Sequence, residues 1–290
     1  MRSLLILLIL IGCGNDNSPV PRYRIITTNN IDQFVSNTQL PGDCLSNKLN
    51  VVAGEINSTD FLSSVKIRTY DDDSVYYGVC TAGLLNGNQL ITAAHCLFDT
   101  KQVKIDFGYI QLEVFSWRVF PKYSGMVNDR INIDGTDVGV IDLTPEEVIV
   151  FKRYIKYDMY GNPRKDSLFV SKISDKSPII GNCFAWIGYG RNKLGQQNST
   201  DGLRRIGSNV ITGIVNNNNL KVFYNTIERA NVLNKYSAIF GKGDSGGPVY
   251  NSSGDMIGIV SSSGDDLNYQ DSFIIDITNN EVREFLERSK

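Results

Sequence analysis

Residues 103–114 read VKIDFGYIQLEV, and their alternation constrains the fold more than any other feature of the chain. Lys104 and Asp106 separate Val103, Ile105 and Phe107. After Gly108, Gln111 and Glu113 separate Ile110, Leu112 and Val114. A period of two buries one face of an extended strand, so this stretch is two half-buried strands divided by a turn residue. Apolar runs of strand length recur at 74–80, 89–93, 138–143, 183–187, 210–215, 256–260 and 273–277. Short strands between turn signals predict an all-β architecture of barrel or sandwich type. The one helix expected is the last element. Thr278 and Glu281 are spaced as a capping box, and Val282, Phe285 and Leu286 share one face at i, i+3, i+4.

The first fifty residues have a different character. MRSLLILLILIGC carries one early cation, Arg2, and an apolar run from Leu4 to Ile11. Spanning a bilayer takes about 20 apolar residues, so this run fits a secretory signal instead. Its end, Leu10-Ile11-Gly12-Cys13, resembles the lipobox of bacterial lipoproteins. That resemblance implies removal of residues 1–12, a lipid on Cys13 and, with Gly14 rather than Asp next, the outer membrane. An ordinary signal peptide with a chance cysteine is the alternative. The polar stretch that follows, rich in Asn, Asp, Thr and Pro, reads as a tether and pro-segment through Asn50. With 290 residues there is ample chain for a buried core, and a net charge of −2 offers nucleic acid no basic patch.

GKGDSGGP, Gly241 to Pro248, surrounds one serine with four glycines and a proline. Taken alone it is either a flexible loop, as NSSGD and SSSGDD elsewhere in the chain are, or a backbone bent to hold Ser245 for chemistry. A nucleophilic serine needs a base, and the chain has a single histidine, His95, in ITAAHC. One histidine and scattered cysteines make no tetrahedral metal set. A histidine base needs an acid to fix its tautomer. Asp137, at the mouth of the apolar run Val138–Ile141, is the first candidate. Asp142 lies further along the same run, and a surface turn continuing Asp134-Gly135 is the bland alternative for Asp137. Gly243-x-Ser245-x-Gly247 also fits the α/β-hydrolase elbow, but that fold places its histidine after the serine, and His95 precedes it. A subtilisin-like order would need Asp60 or Asp71 as the acid, without the βαβ pattern to support it.

TAAHC, Asp137–Leu143 (DVGVIDL) and GDSGGP, in this order, resemble the trypsin/chymotrypsin family of serine endopeptidases. VVAGE at Val51–Glu55, GYGR at Gly188–Arg191, GIVS at Gly258–Ser261 and the terminal helix extend the resemblance from Val51 to Lys290. It implies two antiparallel six-stranded β-barrels, roughly 51–160 and 161–275, and a C-terminal helix over 278–288. It implies that Ser245 attacks the peptide carbonyl, His95 takes the proton and Asp137 orients His95. The N–H groups of Gly243 and Ser245 form the oxyanion hole.

The same resemblance implies a Cys80–Cys96 bridge around the histidine loop. Cys44 and Cys183 are then left to each other, a pair the family usually lacks. It also implies that cleavage before Val51 frees an amine to pair with Asp244, although Asn50 stands where the family has Lys or Arg. The position six before the serine, Ile239, becomes the floor of the specificity pocket, with Ser263 and Ser272 on its walls, so an apolar side chain is preferred. Ser262 replaces a usual tryptophan, and Asp265 or Asp266 would add negative charge nearby. Neither cofactor nor metal is implied. The partners are protein or peptide substrates, an unidentified activating protease and, through Cys13, a membrane. The location is the cell envelope, or the exterior if secreted. A catalytically silent binding module on the same fold is the rival reading.

Overall fold

Two sheets carry the chain in the computed structural model, which describes residues 64–71, 75–125, 135–155, 172–190, 204–211, 213–217, 220–226, 240–263 and 271–288. The first sheet holds β1 (Ser64–Tyr70), β2 (Tyr76–Leu84), β3 (Gln89–Thr92), β4 (Gln102–Asp106), β5 (Gln111–Val114), β6 (Trp117–Val119) and β7 (Gly139–Asp142). Their spatial order is β5-β4-β1-β2-β3-β7-β6, with antiparallel neighbours throughout. β5 and β6 stand at opposite edges, yet only Phe115 and Ser116 separate them in sequence. One bent segment therefore serves both edges, and the sheet closes on itself as a six-stranded barrel.

The second sheet repeats the device. It holds β8 (Cys183–Gly188), β9 (Arg205–Val210), β10 (Gly213–Asn217), β11 (Leu220–Thr226), β12 (Pro248–Asn251), β13 (Met256–Ser263) and β14 (Asp271–Asp276). The order β10-β11-β14-β13-β12-β8-β9 again puts two consecutive segments at the two edges. Two antiparallel barrels followed by a C-terminal helix are the expected architecture. The run 210–215, read as one strand, is split because it changes neighbours. Val210 still pairs with Cys183, and the Ile211 N–H goes to the Asn182 carbonyl, whereas Gly213–Asn217 pair with Leu220–Tyr224.

The alternation at 103–114 gives the β4–β5 hairpin, with Val103 opposite Val114 and the left-handed Gly108 in the turn. Val103, Ile105 and Val114 are buried. Helices depart from expectation in two ways. Helix α1 (Pro145–Tyr154) was not anticipated, although Thr144-Pro145-Glu146-Glu147 is a complete capping box with proline at the first turn. The terminal helix α2 (Asn280–Glu287) starts later than its expected box. Asn279 is the N-cap, its side chain accepting the Glu281 N–H, because the Thr278 hydroxyl is taken by Asp276. Phe285 of α2 packs edge-on against Phe120, 5.4 Å between centroids, so the last element clamps onto the first barrel. Burying each such ring contributes about 1.5–3 kcal/mol.

Asp106, at the end of β4, ties the barrel wall together. It accepts from Lys66 Nζ at 2.8 Å, Arg68 Nε at 2.6 Å and the Gly108 N–H at 2.7 Å. Burial alone would push its carboxyl up. The bonds from Lys66, Arg68 and Gly108 outweigh that and hold it below the ordinary value. A folded-state value below the unfolded one means a stabilisation that is present above about pH 4 and is lost as pH falls through the folded value. Asp106→Asn is expected to cost about 3 kcal/mol at neutral pH. It should also flatten the acid side of the stability curve; urea midpoints against pH check both.

Candidate active site

β3 and β7 pair with Thr92 opposite Gly139, so the chain just past β3 and just before β7 leaves from the same end of the barrel. His95 sits in the single helical turn Ala94–Cys96 after β3, and Asp137 lies two residues before β7. Asp137 is fully buried and grips His95 twice. Its Oδ1 accepts the His95 backbone N–H at 2.8 Å, and its Oδ2 lies 2.8 Å from Nδ1. Oδ2 also accepts the Ser261 hydroxyl at 2.6 Å. Burial would raise the Asp137 carboxyl. The His95 charge, the His95 and Ser261 side-chain bonds and the His95 backbone N–H outweigh burial and hold it below the usual carboxylate range. An ionised carboxylate only accepts, so Nδ1 carries a ring proton, and in the neutral ring the free lone pair is on Nε2. Asp142, the other acid weighed, lies on β7 and accepts from Gln89 and Arg118 instead.

Ser245 comes from the other barrel, three residues before β12. Its carbonyl accepts the N–H of Thr81 on β2 at 2.8 Å, so the serine loop is docked on the first barrel. The disulfide Cys80–Cys96 joins the neighbour of Thr81 to the neighbour of His95. Cys96 Sγ lies 3.7 Å from His95 Nε2 and 3.9 Å from the Ser245 carbonyl, so the ring and the serine backbone share one sulfur as a neighbour. The Ser245 hydroxyl donates to the Ser261 carbonyl at 3.2 Å, and among the described hydrogen bonds none joins it to His95. Proton transfer to Nε2 therefore requires the hydroxyl to turn from Ser261 to the ring.

The loop carbonyls are held one by one. Gly241 C=O accepts the Asp244 N–H, Asp244 C=O accepts the Gly247 N–H, and Gly243 C=O accepts the Thr81 hydroxyl at 2.9 Å. Among the described residues, the N–H groups of Gly243 and Ser245 donate to no acceptor, which leaves both able to bind an anion. Gly243 holds φ at +106° and Gly246 at +80°, where side chains are strained. A Cβ on Gly246 would also stand 2.0 Å from Thr92 Oγ1 and 2.3 Å from the Thr81 carbonyl. Asp244 is buried beneath the loop, accepting the Gly190 N–H at 2.7 Å and the Gly241 N–H at 2.8 Å.

Ser263 and Ser272 face each other in register across β13 and β14. Ile239, Val51, Asn50, Cys44, Cys13, Asp265 and Asp266 lie outside the described residues. Cys183 is in a disulfide whose partner also lies outside them. Cys80, His95 and Cys96 bring three ligand-type atoms within 4.8 Å, but the two sulfurs are bonded to each other and offer no thiolate. Nothing in the string GIVS assigns Ser261 a role, yet it bonds Asp137 through its hydroxyl and Ser245 through its carbonyl. Thr81 was missed for lack of any motif beyond its place after Cys80.

The Trypsin family model matches residues 48–281. Comparison with curated protein sequences returns no match. Among solved structures, the thermostable serine protease AL20 from an extremophilic microorganism is similar with a TM-score of 0.53 at 13% identity, over 78% of this chain and 96% of that one. The scabies mite inactivated protease paralogue S-I1 gives 0.54 at 14%, over 80% and 96%. These likenesses are of fold. The family match takes in the histidine turn, the aspartate before β7 and the serine loop together, and the chain belongs to the trypsin family.

Proposed function

We propose that the protein is a serine endopeptidase that works through an acyl-enzyme. The observation that carries this reading is the double hold of buried Asp137 on His95, with Ser261 tying the same carboxylate to Ser245. His95 Nε2 takes the Ser245 proton as Oγ attacks the substrate carbonyl. The carbonyl oxygen, now an anion, is received by the Gly243 and Ser245 N–H groups. The imidazolium then gives its proton to the leaving amine, and water repeats the sequence on the acyl-enzyme. Asp137 stays ionised throughout and stabilises the imidazolium.

The enzyme is made as a zymogen: cleavage at Asn50–Val51 frees an amine for Asp244. Residues 1–12 are a signal peptide, Cys13 carries a lipid, and a Cys44–Cys183 bridge keeps the processed domain on its tether at the cell envelope. With Ile239 as its floor, the pocket takes an apolar side chain, because isoleucine cannot pair a buried Arg or Lys. A silent binding module is the second reading. The Ser245 hydroxyl turned to Ser261 is the observation on its side.

The test uses membranes carrying the full chain and a fluorophosphonate probe, before and after limited proteolysis at Asn50–Val51. Labelling should rise on cleavage, and the labelled domain should leave the membrane only when a reductant is added. A peptide library should be cut after apolar residues; cutting confined to Arg and Lys overturns the pocket. No labelling in any processed form returns the protein to the binding-module reading.

A further inference from the structure

Thr81 joins the two barrels at the site, and no motif singles it out. It is fully buried on β2. Its hydroxyl donates to the Gly243 carbonyl at 2.9 Å and accepts the Tyr189 N–H at 3.1 Å. Its backbone N–H holds the Ser245 carbonyl at 2.8 Å, and its carbonyl accepts the Thr92 hydroxyl at 2.8 Å. From the first barrel, one residue thus fixes three groups of the second: the carbonyls of Gly243 and Ser245 and the N–H of Tyr189, just past β8.

Gly243 makes this hold necessary. Without a Cβ, and at φ +106°, its backbone has no steric preference that fixes the plane of its peptides. The carbonyls on either side of the Asp244–Ser245 peptide, those of Gly243 and Ser245, are both bound by Thr81 on the opposite barrel, through its hydroxyl and its backbone N–H. We infer that Thr81 is a positioning residue for the oxyanion site: its hydroxyl sets the Gly243–Asp244 peptide and its N–H the Ser245–Gly246 peptide, and the Ser245 N–H lies in the peptide held between them. The inference rests on the peptidase reading for its kinetic consequence and on geometry alone for its structural one.

Two variants separate hydroxyl from bulk. Thr81→Val keeps the shape and removes the hydroxyl; Thr81→Ser keeps the hydroxyl. In the processed full chain, Thr81→Val should lower kcat about 10- to 100-fold, somewhat less than removal of an oxyanion donor, with KM within about twofold. Thr81→Ser should restore kcat to within about threefold of wild type. Hydrogen exchange supplies a readout independent of turnover: the Tyr189 amide should exchange at least about tenfold faster in Thr81→Val and not in Thr81→Ser. Unchanged kcat and exchange in Thr81→Val overturn the inference, and equal losses in both variants overturn it in favour of packing. A wild type that neither labels nor turns over, with the exchange contrast intact, overturns the peptidase reading while upholding the positioning of the loop.

Discussion

Replacing Ser245 with alanine is expected to lower kcat by on the order of 10⁶-fold. The loop should survive the change. Its shape is held by backbone bonds from Thr81, Gly247 and Val260, and the serine hydroxyl adds only the 3.2 Å bond to Ser261. Melting temperature and KM should therefore stay close to wild type while chemistry stops. Adding His95→Ala to this variant should cost little more, because a base without its nucleophile has nothing to deprotonate. Any activity left, on the order of 10³–10⁴ above water, is expected from the proposed oxyanion donors and substrate positioning. The check is burst-free hydrolysis of an activated ester by carefully purified variants. A Ser245→Ala protein retaining a tenth of the wild-type rate would sink the assignment of the nucleophile.

Asp137→Asn is the second large effect, on the order of 10⁴-fold in kcat, the loss typical of this substitution in a Ser-His-Asp triad. The bonds around Asp137 say why. An asparagine must keep its oxygen on the His95 backbone N–H, where only an acceptor fits. Its NH₂ then faces Nδ1 and the Ser261 hydroxyl, in place of an oxygen that accepted from both. Nδ1 must become the acceptor, the ring proton moves to Nε2, and the base is lost. Nitrogen-15 shifts of His95 should report the exchanged tautomer, and kcat should fall with KM little changed. A loss under tenfold would mean that the carboxylate does not set the tautomer. In the wild type, the lowered Asp137 carboxyl remains ionised at neutral pH. Its contribution to stability is lost as pH falls below about 4 and through the folded-state value.

Strands were legible where the signal was local. Alternation at 103–114 sufficed for β4 and β5, since each burial decision there concerns one face of one hairpin. The split at Ile211 was not legible, because a strand that changes neighbours keeps its apolar pattern. Nor was α1 noticed, though its cap is written in four residues. At the site, His95, Asp137 and Ser245 stand in recognisable strings. Ser261 reaches Asp137 across 124 positions of sequence, and Thr81 reaches Gly243 across 162. Nothing in a local window marks a serine or threonine whose partner arrives from the other barrel.

That division between barrels has a consequence for how the protein is made. His95 and Asp137 belong to the first barrel, whereas Ser245 and Ser261 are among the later residues of the second. A chain emerging from the ribosome can complete its first barrel and still hold a histidine with nothing to activate. Contacts of such long sequence separation form slowly and late in folding. Any cleaving power of the proposed kind therefore waits until the nearly complete chain docks its halves, and a chain cut short before Ser245 lacks the proposed nucleophile altogether.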